Sequence, residues 1–471
     1  MNSRRSFLLD VTGLGSVALA WLTQRDAPAA SNSPYAPKPT HFPPKAKRVI
    51  QIFCCGGVSH IDTLDYKPEL VRMDGKAMTG KGEVDTFFGK PGNLMKSPWA
   101  FHQYGQSGHW VSDLLPHLAQ RVDDMTFIHS MVAQSSNHTP ATFQMNTGFQ
   151  RNGFPCLGAW LSYGLGSENE DLPAFIVLPD SRQLPAGGSI NWTSGFLPAV
   201  HQGVAFRTKG EAIVDLETPS DIPPARRTDE MEFLHRRNEE HLAAHPGDSM
   251  LEARIHAYEL AARMQTSVPE VTSLESEPAH IQKLYGIDSP LTEGFGRNCL
   301  LARRLLERGV RFVQLFHGGA FGSPRINWDG HEDIVDNHTK QAAVLDKPLA
   351  GLLADLKQRG MLHDTLVVFN TEFGRTPFAQ SAAGTLGTGR DHNQTAYTVW
   401  LAGAGLKPGF AHGATDEFGY RVVDSPVSVH DFHATLLHLL GIDHTRLTYY
   451  HNGIQRRLTN VHGEVVKQVL A

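Results

Sequence analysis

Three short clusters of carboxylate and imidazole stand beside glycines between Asn327 and Asn393. They are Asn327-Trp328-Asp329-Gly330-His331, Thr371-Glu372-Phe373-Gly374-Arg375-Thr376-Pro377 and Gly389-Arg390-Asp391-His392-Asn393. Ligands for one metal ion must converge from separate elements, and glycine lets the backbone turn tightly enough to aim them. Asp329 and His331 can share an ion if the chain turns between them. Glu372 follows the apolar run Leu366-Val367-Val368-Phe369, and Arg375 either clamps a phosphate or sulfate with its planar fork or pairs with Glu372. Any one cluster is as well explained by a structural ion pair. Their common position after strands points to a shared metal site drawing on Asp329, His331, Glu372, Asp391 and His392.

Two earlier stretches belong to the same chemistry. In Gly56-Gly57-Val58-Ser59-His60-Ile61-Asp62 a carboxylate stands one loop past an apolar strand, so Asp62 is a metal-ligand candidate with His60 second. The competing reading makes Asp62 the cap of a helix or an Asx turn. In Ser136-Asn137-His138-Thr139-Pro140, Thr139 lies at a helix N-terminus, where the dipole and a neighbouring metal can ionise a hydroxyl into a nucleophile. Ser136 or Thr139 as a plain N-cap is the alternative, and His138 is read as a ligand or an acid.

Stepping from chemistry to scaffold, Arg48–Cys55, Met125–His129, Ala174–Leu178, Val310–Phe316, Thr365–Asn370 and Ala396–Leu401 are apolar runs without a polar face. Such strands suit a mainly parallel sheet covered on both sides. Helical patterns over Pro155–Leu165, Phe295–Arg308, Ile334–Arg359 and Val429–Leu440 supply the covers, the last with a capped start at Ser428 and Asp431. The expected fold is α/β, a three-layer αβα sandwich with functional residues beyond the strand C-termini. Two regions break the rhythm. Residues 181–207 read as a long loop, packed or lying over the site, with Trp192 and Phe196 exposed; residues 219–289 read as a charge-rich helical cap, so that an insertion spans about 181–289.

The N-terminus reads as an address. Ser3-Arg4-Arg5-Ser6-Phe7-Leu8 is a twin-arginine signature ahead of a short, interrupted apolar run and small residues at Ala27, Ala29 and Ala30. The expectation is a signal peptide over residues 1–30, a linker over 31–46 and one domain over 47–471. That places the mature protein in the periplasm or outside the cell, with no membrane span after cleavage. A net charge of -5 leaves no basic footprint for nucleic acid and no polybasic membrane patch. Cys54, Cys55, Cys156 and Cys299 match neither a zinc-knuckle spacing nor a dense disulfide framework, and adjacent Cys54 and Cys55 in a strand should face opposite sides as buried thiols.

The motifs GGVSHIDTLD, NHTPATFQMNTG, FPCLGAWLSYGLGSENEDLPAFIVL, NWTSGFLPAVHQG, NWDGHED, TEFGRTP, GRDHN and GATDEFGY, together with the twin-arginine start, resemble the exported bacterial family known as domain of unknown function 1501. The resemblance runs from Lys47 onward. That family is in turn similar to the alkaline phosphatase and sulfatase superfamily, which has an αβα sandwich and a two-metal site. By that resemblance Asp329, His331 and His392 hold a first ion. Asp62 and Glu372, with Asp391 as a further candidate, hold a second, which activates a water or Thr139, the latter or His138 falling at the nucleophile position, and Arg375 contacts the anion. The implied cofactors are two divalent ions, zinc or manganese ahead of calcium, and the implied substrate is a small-molecule or carbohydrate phosphate or sulfate ester. Phe373 stands where the superfamily carries a histidine, which leaves Asp391 or His60 to replace it, and a Cys-x-Pro-x-Arg run is missing, against a formylglycine sulfatase. The alternatives are a non-catalytic secreted binding or surface-assembly protein with a degraded metal site, and a mutase-like transferase.

Overall fold

The structure is a computed structural model describing residues 36–471 except 81, 83, 208–209, 215, 217–222, 321–324 and 383–384. The twin-arginine stretch and the expected cleavage site lie outside the described residues. In chain order, the elements that build the site and its scaffold are strand β1 (Arg48–Cys54), the short helix α1 (His60–Thr63), β2 (Lys90–Leu94), β3 (Met125–Val132), α2 (His138–Thr147), α3 (Leu157–Leu165), β4 (Phe175–Leu178) and β5 (Val204–Ala205). There follow α4 (Pro224–Ala244), α5 (Ser249–Thr272), α6 (Glu293–Glu307), β6 (Phe312–His317), α7 (Ile334–Gln358), β7 (Thr365–Asn370), β8 (Gly374–Ala382), β9 (Thr385–Asn393), β10 (Tyr397–Gly403), β11 (Phe410–His412), β12 (Val427–Ser428) and α8 (Val429–Leu439).

The central sheet has nine strands in the order β11-β3-β10-β7-β1-β6-β4-β5, with β12 beside β3. β10 runs against β3 and β7; the other pairings are parallel. The expected sandwich is present because each strand is apolar on both sides. From β1, Ile50, Ile52 and Cys54 enter one layer with Leu301 and Leu305 of α6 and Leu345, Leu349 and Leu352 of α7. Val49, Phe53 and Cys55 enter the other with Trp160 and Leu161 of α3 and Phe432 and Leu436 of α8. Cys54 and Cys55 therefore do face opposite sides, as free buried thiols whose pKa burial pushes up. Truncating one of these leucines to alanine would cost about 2–5 kcal/mol.

Ser428 caps α8 through a reciprocal bond with Asp431. Within the 219–289 stretch, α4 packs on α5, and α5 packs on the turn Ala199–His201 just before β5 and on α6. In the 181–207 stretch Trp192 is buried in the α3 layer and Phe196 is half-buried against Tyr449 and His451, so neither aromatic stands exposed as expected. Residues 38–46, read as linker, bond along Leu165, Leu439 and Gly441. Among the described residues no helix is long and apolar enough to cross a membrane.

The largest departure from the sequence reading is β8 and β9. The TEFGRTP and GRDHN stretches, read as loops, supply the two arms of an antiparallel hairpin that β2 extends to three strands. Its register sets Arg375 opposite His392 and Gly374 opposite Asn393. No apolar alternation announces these strands, because beside Phe378 and Ala379 the side chains they bury are mainly polar: Arg375, Thr376, Arg390, Asp391, His392 and Asn393.

Candidate metal centre

The site lies beyond the carboxyl ends of β1, β6 and β7, where neighbouring parallel strands deliver loops to one place. Gly56 and Gly57 end β1 with φ of 109° and 71°. A Cβ on Gly56 would come within 2.6 Å of the Trp328 and Asp329 backbone nitrogens, so only glycine lets the Asn327–His331 loop approach. That loop is pinned by Trp328 N donating to Cys55 O at 2.8 Å and by Asp329 N donating to Asn327 Oδ1 at 3.1 Å.

Four side chains converge there: His138, Asp329, His331 and His392 are all buried and offer donor atoms within 4.8 Å of one another. Asp329 Oδ1 stands 2.8 Å from His331 Nε2, 3.2 Å from His138 Nε2 and 3.3 Å from His392 Nε2. Donors arranged tetrahedrally around an ion with bonds of about 2.0–2.1 Å stand roughly 3.3 Å apart, so the set is the right size.

The far side of each imidazole decides how it can be used. His138 Nδ1 meets Glu372 Oε1 at 2.6 Å, His392 Nδ1 meets the Ser136 carbonyl at 2.5 Å, and His331 Nδ1 meets Gln380 Oε1. Three acceptors place the proton on each Nδ1 and turn three Nε2 lone pairs inward, the arrangement that orients metal-bound histidines. His331 Nε2 and His392 Nε2 then face each other at 2.8 Å, where two lone pairs repel unless a cation or proton lies between them. A buried histidine and aspartate cluster that can hold a metal ion is therefore built into this chain.

Among themselves, the same groups interact through protons. Burial alone would lower the His138 pKa, but Asp329 and Glu372 outweigh it and hold it above its ordinary value. Burial, with Arg375 and the two neighbouring imidazoles, holds His392 well below. Burial would raise Asp329, yet Arg375 and the three imidazoles hold its carboxyl far below the usual range.

Other expected ligands are not brought into this group, and in each case the side chain is already engaged elsewhere. Asp62 receives the Arg390 fork, Nε at 2.7 Å and Nη2 at 3.0 Å, plus the Ser59 hydroxyl at 2.5 Å. Asp391 points to the opposite side of β9 from His392, as strand neighbours must, and accepts from the Phe87, Phe88 and His392 backbone nitrogens at 2.7, 2.9 and 2.8 Å. Glu372 accepts from Gly56 N at 2.8 Å and Thr371 Oγ1 at 3.0 Å, and reaches the cluster through His138. His60 is tied to Gly419 O at 2.8 Å. Where two ligand sets were expected, the described residues assemble one.

Arg375 is likewise redirected. It is fully buried, with Nε on Gly57 O at 2.9 Å, Nη1 on Arg390 O at 3.1 Å and Nη2 on Asp329 Oδ1 at 2.6 Å, so it orients the Asp329 carboxylate and is not open to a substrate anion. Phe373, in place of a histidine, packs its ring on His138 and His392 at 4.7 and 4.6 Å. Thr139 stands half-buried in the first turn of α2, next to His138. Gln380 and the Ser136 carbonyl escaped the sequence reading, since only the hairpin register and the entry into α2 reveal them.

A family model described as "Protein of unknown function (DUF1501)" matches residues 46–470. The chain belongs to that family. No curated protein matches it. Among solved structures it is similar to a sulfatase from Pseudoalteromonas sp., at 12% identity and TM-score 0.36 over 84% of this chain and 68% of that one. It is also similar to the lipoteichoic acid synthase LtaP from Listeria monocytogenes, at 12% and 0.35 over 90% and 79%, and to the alkaline phosphatase of the Antarctic bacterium TAB5, at 12% and 0.33 over 79% and 94%. The architecture of this DUF1501 protein rests on its own strand order and two buried layers, independently of these likenesses.

Proposed function

We propose that this DUF1501 protein is an exported, metal-dependent hydrolase of phosphate or sulfate esters, using one ion held by His138, Asp329, His331 and His392. The observation that carries the reading is the set of three Nδ1 acceptors, which commits three imidazoles to a common centre. Three nitrogens and one carboxylate oxygen suit zinc or manganese better than calcium.

Charge supports an anionic substrate. Asp329, Glu372 and Arg375 leave the buried cluster with one net negative charge, which a divalent ion converts to one net positive charge. When bound, such an ion polarises an ester oxygen and lowers the pKa of a water molecule. The chain's own part is to hold the four ligands, with Glu372 fixing the His138 tautomer and Arg375 fixing Asp329. Thr139, one residue from His138, is the candidate hydroxyl nucleophile at the positive end of α2. Arg325 is the cation at the rim, its side chain about one-third exposed while it pairs with Asp329 Oδ2 at 3.0 Å and Glu332 at 2.6 Å.

One observation favours a second reading, a secreted binding protein with a structural ion: Arg375, the arginine nearest the cluster, is committed to the main chain and Asp329. Elemental analysis of the purified full chain separates the readings when combined with an ester panel. About one equivalent of zinc or manganese, lost in Asp329→Ala, with turnover of phosphate or sulfate esters, is the expected result. Bound metal without turnover of any ester leaves the binding protein, and no bound metal sinks both.

A further inference from the structure

The segment Asp85–Gly89 carries two phenylalanines that remain in water. Phe87 and Phe88 are 40% and 49% exposed, although each lies on an imidazole of the metal centre. The Phe87 ring stacks on His392 at 4.9 Å, Phe88 meets His331 edge-on at 5.3 Å, and the two phenyl rings meet at 4.6 Å. Exposed aromatics beside a buried polar centre need a reason, because burial elsewhere would stabilise the fold.

The segment is built to hold them there. Asp391 is fully buried and one oxygen accepts both Phe87 N and Phe88 N at 2.7 and 2.9 Å. Its other oxygen accepts His392 N at 2.8 Å, so one carboxylate ties the aromatic pair to the strand residue that supplies a metal ligand. Tyr420 Oη accepts from Asp85 N at 3.0 Å, and Thr86 Oγ1 donates to Gly89 O at 3.0 Å, which closes the turn.

We infer that Phe87 and Phe88 form a stacking platform for a ring carried by the substrate, and that Asp391 is its positioning residue. The substrate is then an ester on a flat-faced ring, a sugar or an aryl group, rather than a linear ester or a small free anion. The anionic group would lie at the metal centre and the ring against the phenyl faces. This rests on the ester-hydrolase reading and names its substrate class. A well-placed aromatic contact contributes roughly a three- to tenfold gain in affinity.

The test is calorimetric binding to the zinc- or manganese-loaded full chain, using inorganic phosphate, inorganic sulfate, ethylphosphonate, phenylphosphonate and glucose 6-phosphate. Wild type should bind at least one ring-bearing probe about tenfold more tightly than ethylphosphonate. The phenyl and sugar arms tell which ring is preferred. Phe87→Ala with Phe88→Ala should erase that advantage while metal content and inorganic phosphate or sulfate binding persist, and Phe87→Tyr with Phe88→Tyr should restore it. Asp391→Asn should weaken the ring preference without removing the metal. Retained anion binding with no ring preference, or a preference that survives the double alanine variant, overturns the platform alone. Failure of both inorganic anions to bind the loaded protein sinks the ester reading and the platform together.

Discussion

Two buried aspartates, each facing an arginine of the same hairpin, have opposite fates in this protein. Asp62 meets Arg390 of β9 fork to carboxylate, through both oxygens, and Ser59 adds a third bond. Asp329 receives one N–H from Arg375 of β8 on the oxygen where three imidazoles gather, and one from Arg325 on its second oxygen, while the other Arg375 donors go mainly to main-chain carbonyls. A buried carboxylate becomes a metal ligand only where lone pairs remain after its protein partners are served. Both are buried aspartates; a two-pronged fork from Arg390 on one, against single contacts from Arg375 and Arg325 on the other, separates them.

The sharpest way to break that contrast is to remove each aspartate in turn. Asp329→Ala should reduce bound metal from about one equivalent to near zero, read by elemental analysis, while the chain still folds. Asp62→Asn should do the reverse. It leaves Arg390 buried and uncompensated, at a cost of about 3–5 kcal/mol in denaturant unfolding, with metal stoichiometry unchanged in the folded fraction. Metal loss in Asp62→Asn at retained fold would place Asp62 in the ligand set after all.

Smaller effects sharpen the same comparison. Glu372→Gln removes the charge behind His138 and should weaken metal affinity by about 10–100-fold, measured by competition with a chelator, without abolishing binding. Acidification should separate the two centres. Protonation of the imidazoles competes with metal, so the ion should leave as the pH falls. Burial would raise the Asp62 carboxyl, but Arg390 holds it below its ordinary value. Its contribution is therefore complete above about pH 4 and is lost only as pH falls through the lowered value. Metal content and circular dichroism followed together should show release before unfolding; a single joint transition would contradict this. Ser59→Ala, at the small end, should cost about 0.5–1.5 kcal/mol and leave the metal in place.

The legibility of the chain follows the same division. Strands such as Thr365–Asn370 and helices such as α7 were readable because apolar runs and 3.6-residue periodicity are local consequences of burial on a two-sided sheet. Asp329, His331 and His392 were readable as candidate ligands from their types and their place after strands, and the structure brings them together. His138 was read as ligand or acid, and its position opposite Asp329 and Glu372 makes it one of the four that can hold a metal. The hairpin of β8 and β9 was not readable, because most of its buried residues are polar and strand periodicity is measured in apolar side chains. Asp391 illustrates the consequence: next to His392 in sequence, it belongs to the other side of the strand.

The sequence by itself determined the layered α/β architecture, the buried unpaired thiols and the chemical types gathered at the strand ends, since each follows from local pattern and composition. The tertiary structure alone decided which carboxylates keep free lone pairs, which imidazole nitrogens point inward and where the exposed phenylalanines stand. Those outcomes depend above all on partners far apart along the chain, 15 positions for Arg375 with the Arg390 carbonyl and 328 for Arg390 with Asp62. A hydrogen bond is a relation between two groups brought within about 3 Å, and only the folded chain sets that distance.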